Sequence, residues 1–215
     1  MPKRPVQAPL SFSRRGGARL GAGRPRKRGG GVSHQPRPQF VRRAPVHATL
    51  RVRQAIPSLR GARCFSAVER ALAAARDRLG IRVIHFSVLG NHLHLIVEAD
   101  SSAALSRGMQ GLSIRLAKGI NAALGRRGGV FADHYHSRLL STPTEVVNAI
   151  RYVLDNHLHH FPERAGSSDP CSSALRPDLA AAPRTWLLTI GWRRGRRMGP
   201  ARQAAAATAA AIARN

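Results

Sequence analysis

The sequence predicts an α+β fold: a ferredoxin-like antiparallel sheet with helices on one face, flanked by a disordered basic N-terminal arm and a C-terminal extension. From residue 44 to 161 the apolar residues recur with alternating strand-like and helix-like periods. The order is strand, helix, strand, strand, helix, strand, helix. Residues 1–43 show almost no spaced apolar residues, and the chain after residue 161 reads as loop followed by low complexity.

Residues 1–43 hold twelve Lys/Arg and no Asp or Glu, set among Gly, Pro and Ser. Such a segment buries too little surface to offset its ordering entropy, so it is expected to be a disordered arm. Within it, Gly23–Arg28 (GRPRKR) resembles an AT-hook. Arg24 and Arg26 would then lie in a narrow minor groove, where the negative potential is enhanced. A merely basic linker is the alternative.

The folded elements follow in order. Val46 to Ile56 (VHATLRVRQAI) alternates and is rich in β-branched residues, a strand pattern. Ser66-Ala67-Val68-Glu69 has capping-box spacing, Val68, Leu72, Ala75 and Leu79 share one helical face, and Gly80 suits the position past a helix end. Residues 81–89 (IRVIHFSVL) and 91–99 (NHLHLIVEA) are strand-like around a turn at Gly90. Leu105, Met109, Leu112, Leu116, Ile120 and Leu124 mark a helix over 104–125, with Arg107, Arg115 and Lys118 off the apolar stripe. A short strand is expected in 134–141. Thr142-Pro143-Thr144-Glu145 then opens a helix running to about residue 158. Residues 165–182 read as loop, and Thr185–Trp192 as a short apolar element before the basic run Arg193–Arg197.

Composition narrows the partners. The formal charge is +26, split as +12 for 1–43, +8 for 44–161 and +6 for 162–215. A polycation gains affinity for nucleic acid because each neutralised phosphate releases counterions. No apolar run reaches the roughly 18 residues that a membrane helix needs, so no membrane partner is expected. Two cysteines cannot build a disulfide framework, and the N-terminus lacks an apolar leader, so the chain is expected in the cytoplasm, with the nucleoid.

Three groups of residues carry candidate chemistry. His92 and His94 lie two apart on a strand, so both side chains leave the same face, and paired imidazoles can chelate a metal. Tyr152 and Asn156 lie four apart on a helix, one turn from each other on one side. Asp133-His134-Tyr135-His136-Ser137-Arg138 is a polar, aromatic cluster at a strand entrance. His85, His157, His159 and His160 read as structural.

The segments VLGNHLHLIVEA, FADHYHSRLL and AIRYVLDNHLHH, in that order and at their separations, resemble the HUH-superfamily single-tyrosine transposases, close to the REP-associated tyrosine transposases. The resemblance covers residues 44–161. It implies His92, His94 and Asn156 as ligands of a divalent metal, Mg or Mn, and Tyr152 as nucleophile. It further implies a transposase and single-stranded DNA endonuclease that cuts and rejoins DNA through a covalent 5′-phosphotyrosine. Single-stranded or hairpin DNA is the implied partner, with a homodimer as one arrangement. The chain departs from the family in having His157 after Asn156, where Pro is frequent, and His134 where Arg or Gly-Arg is frequent. Arg107, Arg115, Lys118, His134, His136, Arg138 and Arg151 are candidate DNA contacts, with a solvated basic face as the alternative reading. Two rival readings are a non-catalytic (domesticated) DNA- or RNA-binding protein and a ribosome-associated basic protein. Neither calls for the His/His/Tyr/Asn spacing.

Overall fold

Alternation builds the first strand, β1 (Ala44–Arg51): Val46, Ala48 and Leu50 enter the core, while His47, Thr49 and Arg51 leave on the opposite face. The computed structural model describes residues 39–78, 80–160 and 167–196. Most of the basic arm, including Arg24, Arg26 and the AT-hook-like stretch, lies outside the described residues, as do Leu79 and the Ala-rich end. The remaining elements are α1 (Ala62–Ala75), β2 (Asp77–Arg78), β3 (Ile81–Val88), β4 (His92–Ala99), α2 (Ser102–Leu124), β5 (His136–Leu139), α3 (Pro143–Asp155), α4 (His157–His160) and, after a π-helical turn at Leu187–Gly191, α5 (Trp192–Arg196).

The strands form one antiparallel sheet in the order β2-β3-β4-β1-β5. With the two-residue β2 set aside, this is the ferredoxin-like arrangement expected from the sequence. α1 and α2 pack together on one face. Val68, Leu72, Met109, Leu112, Leu116 and Ile120 meet Val46, Leu50, Val83, Phe86, Leu93, Leu95 and Val97 there. Gly108 permits the contact between α2 and the sheet, since a Cβ at that position would lie 2.4 Å from Ile81 Cγ2. The third helix differs from the expectation of helices on one face. Val146, Ile150 and Val153 of α3 pack on Ile84 and Ile96, which point away from α1 and α2. Ile84 follows Val83 onto the far face by alternation, and the register irregularity between Val83 and His85 sets His85 opposite Ile96 on that same face before Phe86 returns to the main core.

Two local signals work differently from their sequence reading. Ser66 lies inside α1, which starts at Ala62, and its hydroxyl accepts from Arg70 at 2.7 Å. Gly80, at φ 79°, sits in the turn between β2 and β3 instead of ending a helix. The capping box at Thr142 and Glu145 is present as expected.

Residues beyond 161 also build this sheet. The Cys171 carbonyl accepts from Val88 N–H at 2.9 Å, Ser173 N–H donates to Phe86 O at 2.9 Å, and Ala181 N–H donates to Val83 O at 2.7 Å. The outer edge of β3 is thereby covered, which removes an open template for aberrant pairing. Arg60 anchors the segment. Its guanidinium donates to both oxygens of the fully buried Asp169 carboxylate, at 2.7 and 2.8 Å. Removing one partner of a buried pair leaves an uncompensated charge, so Asp169→Ala is expected to cost about 3–5 kcal/mol. Urea unfolding checks this, and an unshifted midpoint would mean that the segment docks without contributing to stability.

Candidate active site

The face of the sheet opposite α1 and α2 is polar at one end. On β4, His92 and His94 alternate with the buried Leu93 and Leu95. On β1, Thr49 pairs across from His94, and Arg51 from His92. Cross-strand neighbours on one face lie close enough for side-chain contact. Thr49 Oγ1 is 3.1 Å from His94 Nδ1, and His47 Nε2 is 3.2 Å from the same nitrogen. The His47 and His94 rings stack at 5.3 Å.

These contacts orient both candidate ligands. His92 Nδ1 lies 2.6 Å from the Asn91 side-chain oxygen, which can only accept, so the proton is on Nδ1. His94 Nδ1 in turn faces the Thr49 hydroxyl and His47. Burial, followed by the positive potential of His136 and Arg138, depresses the His47 pKa to about 4, so His47 is neutral at pH 7 and able to accept on Nε2. An imidazole whose Nδ1–H is engaged in this way carries its lone pair on Nε2, the tautomer that suits a metal ligand with an outer hydrogen-bond acceptor. The two rings stand 4.8 Å apart, centroid to centroid.

α3 closes the site from above the sheet. Its N-terminus is fixed by Thr142, which accepts from Glu145 N–H, and by the Glu145 carboxylate, which accepts from Ser141 and Thr142 N–H. The Ser141 N–H and then Arg138 of β5 hold the Glu145 carboxyl below its usual range. Thus anchored, the helix buries Val146, Ile150 and Val153 and sets Tyr152 edge-on to His94, with ring centroids 5.0 Å apart, and to His47, at 5.6 Å. Tyr152 remains 46% exposed. Asn156, one turn further, is buried, and its Nδ2 has no hydrogen-bond partner among the described residues. Two imidazoles and a carboxamide fit a divalent ion with open positions for substrate. Among the described residues no cluster of three or more His, Cys, Asp or Glu offers a closed metal cage.

No family model matches this chain, and no curated protein does. Solved structures do. A REP-associated tyrosine transposase bound to a REP hairpin superposes with a TM-score of 0.52 at 13% identity, covering 71% of this chain and 93% of that one. The chain shares the fold of this REP-associated tyrosine transposase. A transposase-described protein of Deinococcus radiodurans R1 also matches, with a TM-score of 0.39 at 11% identity over 62% of this chain and 96% of that one.

Within this fold the expected site residues separate into groups. His92, His94 and Tyr152 converge. Tyr135, the other tyrosine, is buried in the core beneath α1 and α2. His136 and Arg138 lie on β5 at the same sheet, with His136 exposed and Arg138 donating to Glu145 at 2.9 Å. His134 pairs with Asp133 at 2.7 Å in the loop before β5. Arg151 precedes the tyrosine on α3. Arg107, Arg115 and Lys118 stand on α2, on the far side of the sheet from the histidines. His85 is structural as expected: it is buried, it lies 3.3 Å from Ser173 Oγ, and burial lowers its pKa to about 4.

His47, Thr49 and Arg51 are the residues that sequence reading missed. The polar half of the alternation in VHATLR was the available signal. If Thr49 orients a metal ligand, Thr49→Val, which keeps the shape and loses the acceptor, should weaken Mn²⁺ binding roughly 10- to 100-fold. Calorimetric titration would measure it, and equal affinity in the variant would leave Thr49 as packing alone.

Proposed function

We propose that this chain is a transposase and single-stranded DNA endonuclease that cuts and rejoins DNA through a covalent 5′-phosphotyrosine on Tyr152. The observation that carries the reading is the meeting of Tyr152 with His94 and His92 on one sheet face, under a helix that the main core does not require. The solved neighbour with the same fold is bound to a REP hairpin, which motivates hairpin or single-stranded DNA as the substrate here.

In this reading His92, His94 and Asn156 would hold Mg²⁺ or Mn²⁺, and two imidazoles favour Mn²⁺ on ligand softness. Bound there, the ion supplies Lewis-acid polarisation of the scissile phosphate. The chain's own residues do the positioning. His94 and His47 hold the Tyr152 ring by its edge while leaving the phenol accessible. A free phenol ionises only near pH ~10, so alignment matters as much as activation. The Tyr152 oxygen forms a bond to phosphorus as the bond to the 3′-oxygen breaks. The phenolic proton passes to solvent, and the departing oxygen takes a proton to become a 3′-hydroxyl. Rejoining is the reverse attack by a 3′-hydroxyl, so no external energy source enters.

Tyr152 lies beside His94 of its own chain, which supports a tyrosine acting within one copy, with a homodimer as the other arrangement. No helix among the described residues is long and apolar enough to cross a membrane, and we place the protein with the nucleoid in the cytoplasm. Incubation of the full chain with labelled single-stranded hairpin DNA tests the reading. A covalent adduct resistant to denaturation is expected with Mn²⁺ and not with chelator. Tight DNA binding without any adduct would favour the non-catalytic binding protein.

A further inference from the structure

Both tryptophans of the chain stand at the segment formed by the π-helical turn Leu187–Gly191 and α5. Trp192 is buried against α3, and its Nε1–H donates to the Thr189 carbonyl at 3.2 Å. Trp186 is different: it is 47% exposed, and Ile190, one turn on, is 50% exposed. The indole is nevertheless held in place. A Cβ on Gly191 would lie 2.8 Å from Trp186 Cζ3, so the six-membered ring rests against bare backbone, at the i, i+5 spacing of the π turn. Such turns occur preferentially at functional sites. The Arg194 guanidinium lies 5.4 Å over the Trp186 ring, and that of Arg193 lies 5.8 Å over Trp192.

Charge indicates what this surface meets. Residues 179–215 contain seven Arg and no Asp or Glu, which suits a polyanion. The segment is also braced to the candidate active site. Arg184 and Thr185 N–H donate to the buried Glu98 carboxylate at 2.6–3.0 Å. Glu98 lies on the His94 face of β4, four residues on, or roughly 13 Å along the strand. Gly195 lies against α3, where a Cβ would be 2.7 Å from the Pro143 carbonyl oxygen.

We propose that Trp186, Ile190, Arg193 and Arg194 form a stacking platform for unpaired bases of single-stranded DNA flanking the cut. A base can stack on the indole–guanidinium pair, or displace Arg194, whose guanidinium then meets the adjacent phosphate. The choice of DNA over another polyanion rests on the function proposed above.

Fluorescence tests the platform directly, because Trp186 and Trp192 are the only tryptophans. A short oligothymidylate added to the full chain should quench the exposed Trp186, and a duplex of equal length should not. Trp186→Ala should abolish the quench and weaken oligothymidylate binding roughly 5- to 150-fold, and Trp186→Phe should restore most of the affinity. Equal quenching by duplex, or unchanged affinity in Trp186→Ala with an unaltered melting temperature, would overturn the proposal. So would a fall in oligomeric mass in Trp186→Ala, which would assign the patch to a second copy of the chain. Hairpin adduct formation by the unaltered chain is scored in parallel. If adduct forms while Trp186 stays unquenched, only the platform fails; if no hairpin or single strand binds, the proposed function fails with it.

Discussion

Full-length protein carrying Tyr152→Phe is expected to bind hairpin DNA as tightly as the unaltered chain and to form no covalent adduct. The substitution removes one oxygen. The ring edges that meet His94 and His47 remain, and the side chain is half exposed, so neither packing nor melting temperature should change. Loss of the attacking atom should lower cleavage on the order of 10⁴-fold or more, the scale seen when a covalent nucleophile is removed. No second phenol can take over, because the other tyrosine of the chain, Tyr135, is buried in the main core. Denaturing gels report the adduct and fluorescence anisotropy reports binding. An adduct of undiminished yield would place the nucleophile elsewhere and dissolve the link between α3 and the histidine pair.

Much of this arrangement was legible in one dimension because its determinants are local. Alternation placed His92 and His94 on one side of β4, and helical spacing placed Asn156 one turn beyond Tyr152. The box at Thr142 and Glu145 marked the start of α3 correctly because both reciprocal bonds form between residues three apart. The Ser66–Glu69 spacing misled for the opposite reason: the same residue types occur inside α1, where the chain is already helical.

Long-range pairing was not legible. Thr49 becomes a neighbour of His94 only through the register of β1 against β4, and His47 only through the stacking that this register allows. The position of α3 on the second face depends on Ile84 and Ile96, and the irregularity in β3 that shifts the alternation from His85 onward leaves no mark on composition. Residues 171–181 carry no strand pattern, yet they cover the β3 edge by backbone bonds across more than eighty residues of sequence, because an edge needs donors and acceptors and not a particular side chain.

Removal of the paired imidazoles is the other change expected to have a large effect, and it separates metal binding from catalysis. A ligand that binds only the folded chain stabilises it by about 2.7 kcal/mol when present at about 100 times its Kd. Mn²⁺ should therefore raise the melting temperature of the unaltered protein. In His92→Ala this shift should vanish or shrink to the value of a non-chelated ion, and adduct formation should fall with it. His92 is the better first test because it lies toward the surface, whereas His94 is 4% exposed and its loss also removes a partner of Thr49 and His47. Asn156→Ala should weaken the shift less, since a neutral carboxamide is the weakest of the three donors. Tyr152→Phe supplies the contrast, because it should retain the full Mn²⁺ shift while making no adduct. Equal Mn²⁺ shifts in His92→Ala and the unaltered chain would show that the imidazole pair does not hold the ion. Tyr152 would then need another source of phosphate polarisation, for which the exposed Arg51, directly across from His92, is the nearest cation in the sheet register.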